Sequence, residues 1–222
     1  MKRRDFSTLL ASTSLAGVAG SALAQGGPVE GRNYQTLNPP LPSTPGKIEV
    51  VEFFWYGCPH CFAFEPAIEG WSKQLPNDVS FRKVHVAFRA NVKIHQRMFY
   101  ALEALGKEAA ARPAIFNAMH QQGLALDDAK SQAKFLSPLG IDPVKYQEAY
   151  NSFGVVTKCQ QAEKLSEAYR IDGVPSIGVG GRFLTSPSDA AKGAAQRLPE
   201  NELGQKALQI TEFLIQRVRN KA

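Results

Sequence analysis

The stretch Trp55-Tyr56-Gly57-Cys58-Pro59-His60-Cys61 constrains this chain most, because it places two of only three cysteines in one C-x-x-C pair. The apolar run Ile48 to Phe54 leads into it, and an amphipathic pattern leads out. A C-x-x-C between a strand and a helix reads as a dithiol/disulfide site at a helix N-terminus. The rest of the chain must supply the sheet that aims this helix, and must say which way the redox chemistry runs.

The β-branched and aromatic content of Ile48 to Trp55 predicts a strand. Its apolar character on both faces suggests a central strand of a parallel sheet. Cys58 to about Leu75 reads as a helix with Pro59 in its first turn, where the missing N–H is harmless. Pro66 lies inside the pattern and should kink it. Val79 to Phe88 is the next strand, so Ile48 to Phe88 forms a β-α-β unit. From about Val92 to Arg170 the spacing is helical, with helices predicted over Lys93 to Leu105, Ala114 to Gln122, Asp127 to Leu136, Pro143 to Phe153 and Val155 to Tyr169. That is more than one crossover needs and reads as an inserted helical subdomain. Gly173-Val174-Pro175 then opens a strand, Gly180-Gly181 turns a hairpin, and Glu202 to Val218 is a terminal helix. Tyr34 to Leu37 is a short edge strand, followed by a proline-rich loop.

The N-terminus has the form of an export signal, residues 1–24: basic Lys2-Arg3-Arg4, a mildly apolar Leu9 to Leu23, and Ala22-Leu23-Ala24 before the cut. It is too polar for a membrane span of about 20 residues. Arg3-Arg4 leaves both the general and the twin-arginine routes open. The net charge is +6, or +4 without the first 24 residues, and no basic cluster is interleaved with aromatics, so nucleic-acid binding is not expected. In an exported protein a C-x-x-C pair can persist as a disulfide. No metal site is expected either, because zinc at Cys58 and Cys61 would need two more ligands. No cofactor is implied.

The chemistry of the pair follows from what stabilises negative sulfur. A helix N-terminus, the Cys61 amide and His60 between the sulfurs should all lower the pKa of Cys58. A stabilised thiolate leaves readily and makes the disulfide more oxidising. Strand periodicity puts Glu52 and Lys83 on otherwise apolar faces of neighbouring strands. Unpaired burial would be expensive, so they are expected to pair, beneath the disulfide, where they could carry protons for Cys61. Val174-Pro175 is by itself compatible with an ordinary trans strand start. Trp55, Tyr56, Phe62 and Phe64 are all compatible with a core; Tyr56 is assigned instead to an apolar rim where unfolded chains dock. Cys159 reads as a buried thiol, His85 as structural, and His95 and His120 as surface or satisfied residues without spaced partners.

Cys58-Pro59-His60-Cys61 after Glu52-Phe53-Phe54, the strand Lys83-Val84-His85-Val86, and Gly173-Val174-Pro175 together resemble the DsbA family of periplasmic thiol:disulfide oxidoreductases, from about Tyr34 to Val218. The resemblance implies an α/β, thioredoxin-like fold with an inserted helical subdomain, divided as 25–91, the insertion 92–154, and 155–222. It implies that Cys58 is nucleophilic, that Cys61 resolves, that Val174-Pro175 is cis and faces the disulfide, and that Glu52 and Lys83 match the family's buried acid and lysine. The family is the standing example of a low-pKa cysteine and an oxidising couple, so the direction argued for Cys58 agrees with it and is not independent of it.

The expectation is a periplasmic, monomeric oxidase. It would pass the Cys58–Cys61 disulfide to unfolded, cysteine-containing exported proteins held along Val174-Pro175. A membrane quinone-linked oxidase of the DsbB type would recharge it. An isomerase or exported reductant of the same fold is the nearest alternative, and a non-catalytic metal-binding module a more distant one.

Overall fold

The computed structural model describes residues 27–42, 46–194 and 196–220; the export signal expected over residues 1–24 lies outside them. A sheet of five strands has the order β1-β5-β4-β2-β3, with β1 Gln35–Thr36, β2 Ile48–Phe54, β3 Val79–His85, β4 Ser176–Val179 and β5 Phe183–Thr185. β2 is central as expected, but the sheet is mixed. β2 runs parallel to β3 and antiparallel to β4, because the Gly180-Gly181 turn returns the chain as a β4–β5 hairpin. Both turn glycines have positive φ, 58° and 63°, which L side chains rarely adopt. The β2–β3 register sets Glu52 directly opposite Lys83.

Eight α-helices surround the sheet in the described residues: α1 Pro59–Ser72, α2 Ala90–Ala104, α3 Glu108–His120, α4 Ala129–Leu136, α5 Pro143–Asn151, α6 Phe153–Ala168, α7 Pro187–Ala191 and α8 Glu200–Arg219. Asp128, Asp142 and Ser152 cap α4, α5 and α6 by accepting backbone N–H bonds. α1 runs through Pro66 to Ser72. α3 begins six residues earlier than Ala114 and carries Pro113 inside it. The short α7 was not anticipated.

Period-2 alternation divides the sheet residues between two cores. Val50, Val79, Ile177 and Val179 pack against Phe64 and Ile68 of α1 and Ala207, Leu208 and Leu214 of α8. Val51, Phe53 and Val84 face Met98, Leu102, Ala162 and Tyr169 on the side of the helical insertion. Burying both faces of β2 fixes its C-terminal end, from which the Trp55–Cys58 turn projects. A parallel β-α-β unit, an antiparallel hairpin and a closing helix make a thioredoxin-like fold with a helical insertion. No helix of the described residues is long and apolar enough to cross a membrane.

Candidate active site

The turn Trp55–Cys58 is closed by the Cys58 N–H donating to Trp55 O at 3.0 Å, and Cys58 is the N-cap of α1 with Pro59 in the first turn. Gly57 is required by close approach: a Cβ there would lie 2.4 Å from the Trp55 ring. The turn is therefore packed beneath the indole.

Each of the chain's four histidines bonds to this segment or lies in it. His85 Nε2 accepts from the Tyr56 N–H at 3.3 Å while its Nδ1–H donates to Val86 O. His95 Nδ1 accepts from Trp55 Nε1 at 2.9 Å while Nε2–H donates to Ala125 O. Accepting at one nitrogen and donating at the other requires neutral rings. Burial agrees, pushing His85 down to about 3 and lowering His95. His120 stacks on Phe62 and donates Nε2–H to Tyr56 O at 2.7 Å. The fourth, His60, is exposed, and its Nδ1–H donates to Glu200 Oε1 at 2.6 Å, from the start of α8. His95 and His120 are thus satisfied by backbone and indole groups of the site, which residue spacing does not reveal.

Cys58 and Cys61 are free thiols, 6% and 0% exposed. Cys58 Sγ lies 3.4 Å from Val174 O, so this loop sits against the outer sulfur; the Val174–Pro175 bond is cis. The two thiols are driven apart. A hydrogen bond from Cys61 is the main factor lowering Cys58 to about 6, opposed by burial and helped by the Cys61 and His60 amides and the His60 charge. Burial foremost, then the bond to Cys58, raises Cys61 well above an ordinary thiol.

Beneath them Lys83 Nζ, itself buried, donates to Glu52 Oε2 and, at 2.9 Å, to Glu65 Oε2. Burial raises Glu52 to about 7 against the pull of Lys83. Burial alone would lower Lys83, but Glu52 and Glu65 hold it above its ordinary value.

The expectation for Tyr56 is overturned. It is fully buried, and its hydroxyl donates to Glu108 Oε1 at 2.7 Å, because its ring packs among Phe54, His85, Phe99 and Phe116. It anchors the turn and offers nothing to a docked chain. Glu65, Glu108, Arg112 and Glu200 were not singled out from sequence. Beside the cysteines a cavity of about 420 Å³ lies between His60, Phe64, Val174, Pro175, Leu203 and Glu200. Its walls also carry Arg170, Asp172, Lys192 and Arg197, so it is more polar than the apolar rim expected from sequence.

A thioredoxin-like fold with paired thiols at a helix N-terminus, opposed by a cis-proline loop, defines a thiol:disulfide oxidoreductase. The comparisons with known proteins narrow this class. A family model described as DSBA-like thioredoxin domain matches residues 89–198. The thiol:disulfide interchange protein DsbA of Burkholderia cepacia is 43% identical over 99% of both chains, and that of Azotobacter vinelandii 40% over 99% of both. The crystal structure of Pseudomonas aeruginosa DsbA superposes with a TM-score of 0.80 at 37% identity, covering 87% of this chain and 95% of that one. The chain belongs to the DsbA family, and it is a disulfide-forming thiol:disulfide oxidoreductase.

Proposed function

We propose that the chain acts in the periplasm, taking its oxidising equivalents from a membrane quinone-linked oxidase of the DsbB type and passing them to unfolded exported proteins. The observation that carries the reading is the opposed behaviour of the two sulfurs: Cys58 is lowered to about 6 while Cys61 is raised. A substrate thiolate attacks Cys58 Sγ of the Cys58–Cys61 disulfide. The S–S bond breaks, Cys61 departs and takes a proton from Glu52, and a mixed disulfide remains on Cys58. A second substrate thiolate attacks the substrate sulfur and displaces Cys58 as a thiolate. The substrate is oxidised by two electrons and the enzyme is left as a dithiol.

In this reading Pro59 starts the helix, His60 adds its charge or a hydrogen bond, and Val174 and Pro175 hold the substrate backbone beside Cys58. Glu52 and Lys83 serve Cys61. Residues 25–91 and 155–222 form the thioredoxin-like unit, and the insertion 92–154 brings His95, His120, Glu108 and Arg112 to the site. A monomer suffices for every step.

The test is the equilibrium with glutathione, together with oxidation of a reduced test protein by the parent and by Cys58→Ala. An oxidising equilibrium and a dead Cys58→Ala are expected. Retained activity in Cys58→Ala, or an equilibrium as reducing as an ordinary cytosolic dithiol, would refute it.

A further inference from the structure

Sequence pairs Glu52 with Lys83, but the structure embeds that pair in a larger cluster. Arg112, on α3 of the insertion, reaches Glu65 Oε1 at 3.1 Å and Glu69 Oε2 at 2.9 Å on α1. Its Nε donates to Glu108 Oε1 at 2.9 Å, the oxygen that also accepts from Tyr56. Lys83 closes the other side by joining Glu65 to Glu52. A continuous line of charges thus runs from the hydroxyl of Tyr56, at the turn before Cys58, to the acid below Cys61. It opens to solvent through a cavity of about 370 Å³ lined by Glu65, Glu69, Lys73 and Arg112 between α1 and α3.

The charge balance of this cluster is uneven. Glu52, Glu65, Glu69 and Glu108 face Lys83 and Arg112 within it, and exposed Lys73 pairs with Glu69 at the solvent end, which still leaves four acids against three cations. Excess negative charge in a poorly solvated space favours retention of a proton. Glu52 is the natural holder. It is fully buried, and its Oε1 has no hydrogen-bond partner among the described residues, while Glu69 reaches water. The groups facing Glu52 are Lys83 from β3, Cys61 and Glu65 from α1 and, one contact further, Arg112 from α3 with Glu69 and Glu108; β4 presents uncharged Ile177.

We propose that Arg112 is a positioning residue for the proton exchange at Cys61: its charge, held by three carboxylates, sets the pH at which Glu52 gives up its proton. This rests on the proposed role of Glu52 as proton partner of Cys61. As the Cys58–Cys61 bond breaks, the Glu52 O–H bond breaks and a Cys61 S–H bond forms. The O–H electron pair stays on the carboxylate facing Lys83. Re-oxidation of the dithiol runs the transfer backwards. Arg112 never touches the sulfurs. It offsets the acids around Glu52, and the proton affinity of Glu52 falls accordingly.

The test is the rate of reduction of the enzyme disulfide by dithiothreitol from pH 5 to 9, corrected for reagent thiolate, in the full mature protein. Arg112→Gln is expected to raise the midpoint of the profile by about half to one pH unit. The Cys58 thiolate absorbance should titrate as in the parent. Arg112→Lys keeps the charge and should restore the midpoint. In a Glu52→Gln background, Arg112→Gln should no longer move it.

A uniform change in rate at every pH, or a shift that persists in the Glu52→Gln background, would overturn the proposal and leave Arg112 a structural clamp. If Glu52→Gln alone keeps the parent midpoint, it is the assignment of Glu52 that fails, a result visible without any change at Arg112. Should Arg112→Gln not fold, Glu108→Gln carries the test with opposite sign. It leaves Tyr56 an acceptor and frees positive charge on Arg112, so the midpoint should fall; a rise or no movement overturns the proposal.

Discussion

The stability of the reduced protein relative to its disulfide form should depend steeply on pH between 5 and 8. Cys58 ionises only when reduced, and its folded value of about 6 lies below the ordinary 9.0 of an unconstrained thiol. A folded value below the unfolded one gives stability that is fully present above the unfolded value and is lost as pH falls through the folded value. With these two values the thiolate stabilises the reduced fold by about 3 kcal/mol at pH 8, by about 1.5 kcal/mol at pH 7, and by almost nothing at pH 5. The same linkage makes the glutathione equilibrium about 100-fold more favourable to the reduced protein at pH 8 than at pH 5, after correction for glutathione's own ionisation. The assay is denaturant unfolding of the reduced and oxidised forms at pH 5, 6, 7 and 8, read as the difference between them. The chain constraint of the disulfide cancels from its pH dependence, and Cys61, raised by burial, stays protonated throughout. A difference that is flat from pH 5 to 8, or a Cys58 absorbance midpoint near 8, would refute the account of the site.

Gly57→Ala drives a methyl to 2.4 Å from the Trp55 ring; displacing the indole and its bond to His95 should cost about 1–3 kcal/mol, measured by thermal unfolding. Tyr56→Phe leaves Glu108 its bonds to Arg112, so the loss should be about 1–2 kcal/mol with the Cys58 midpoint unmoved, which thiolate absorbance would check. His60→Pro removes the imidazole beside Cys58 and the partner of Glu200; the glutathione equilibrium should become about tenfold less oxidising, roughly 30 mV, and an unmoved equilibrium would mean that His60 does not tune the site.

What could be read from the sequence followed from local rules. The dithiol needed only its spacing and the strand before it. The Glu52–Lys83 apposition needed only period-2 alternation, since each is a charge on an apolar face, and the register places them opposite one another. The start of α3 was hidden by Pro113. Proline disrupts a helix interior, and the expected helix begins at Ala114, just past it; in the fold the helix extends back to Glu108. That error concealed the acid–base cluster, because Glu108 and Arg112 were not seen as helical neighbours. Their i,i+4 spacing was the available signal. Tyr56 was misplaced because an aromatic next to a reactive cysteine has the composition of a docking rim. Only tertiary packing supplies the acid 52 residues away that accepts its hydroxyl. His60 and Glu200 are 140 residues apart, and the partners of His85, His95 and His120 are backbone carbonyl or amide groups and an indole. None of these leaves a pattern in spacing.

The direction of the chemistry comes from giving two sulfurs in one turn opposite surroundings. Cys58 is the N-cap, and amide N–H groups and the Cys61 thiol point at it, so negative charge there is already solvated by the protein. Cys61 lies one turn inside the helix, fully buried, with Glu52 beneath it, so negative charge there is rejected. A nucleophile that opens the disulfide therefore does best at Cys58 when Cys61 leaves with a proton, and Cys58 is the better leaving group when the mixed disulfide resolves toward the substrate. One requirement follows for the buried acid. A carboxyl that stayed ionised down to pH 4 would have no proton for Cys61, and one that never ionised could not take the proton back. Raised by burial against the pull of Lys83, Glu52 meets that requirement in the proposed exchange. On the proposed role of Glu52, the charges recruited from the helical insertion bear on the proton exchange at Cys61 as well as on the stability of the fold.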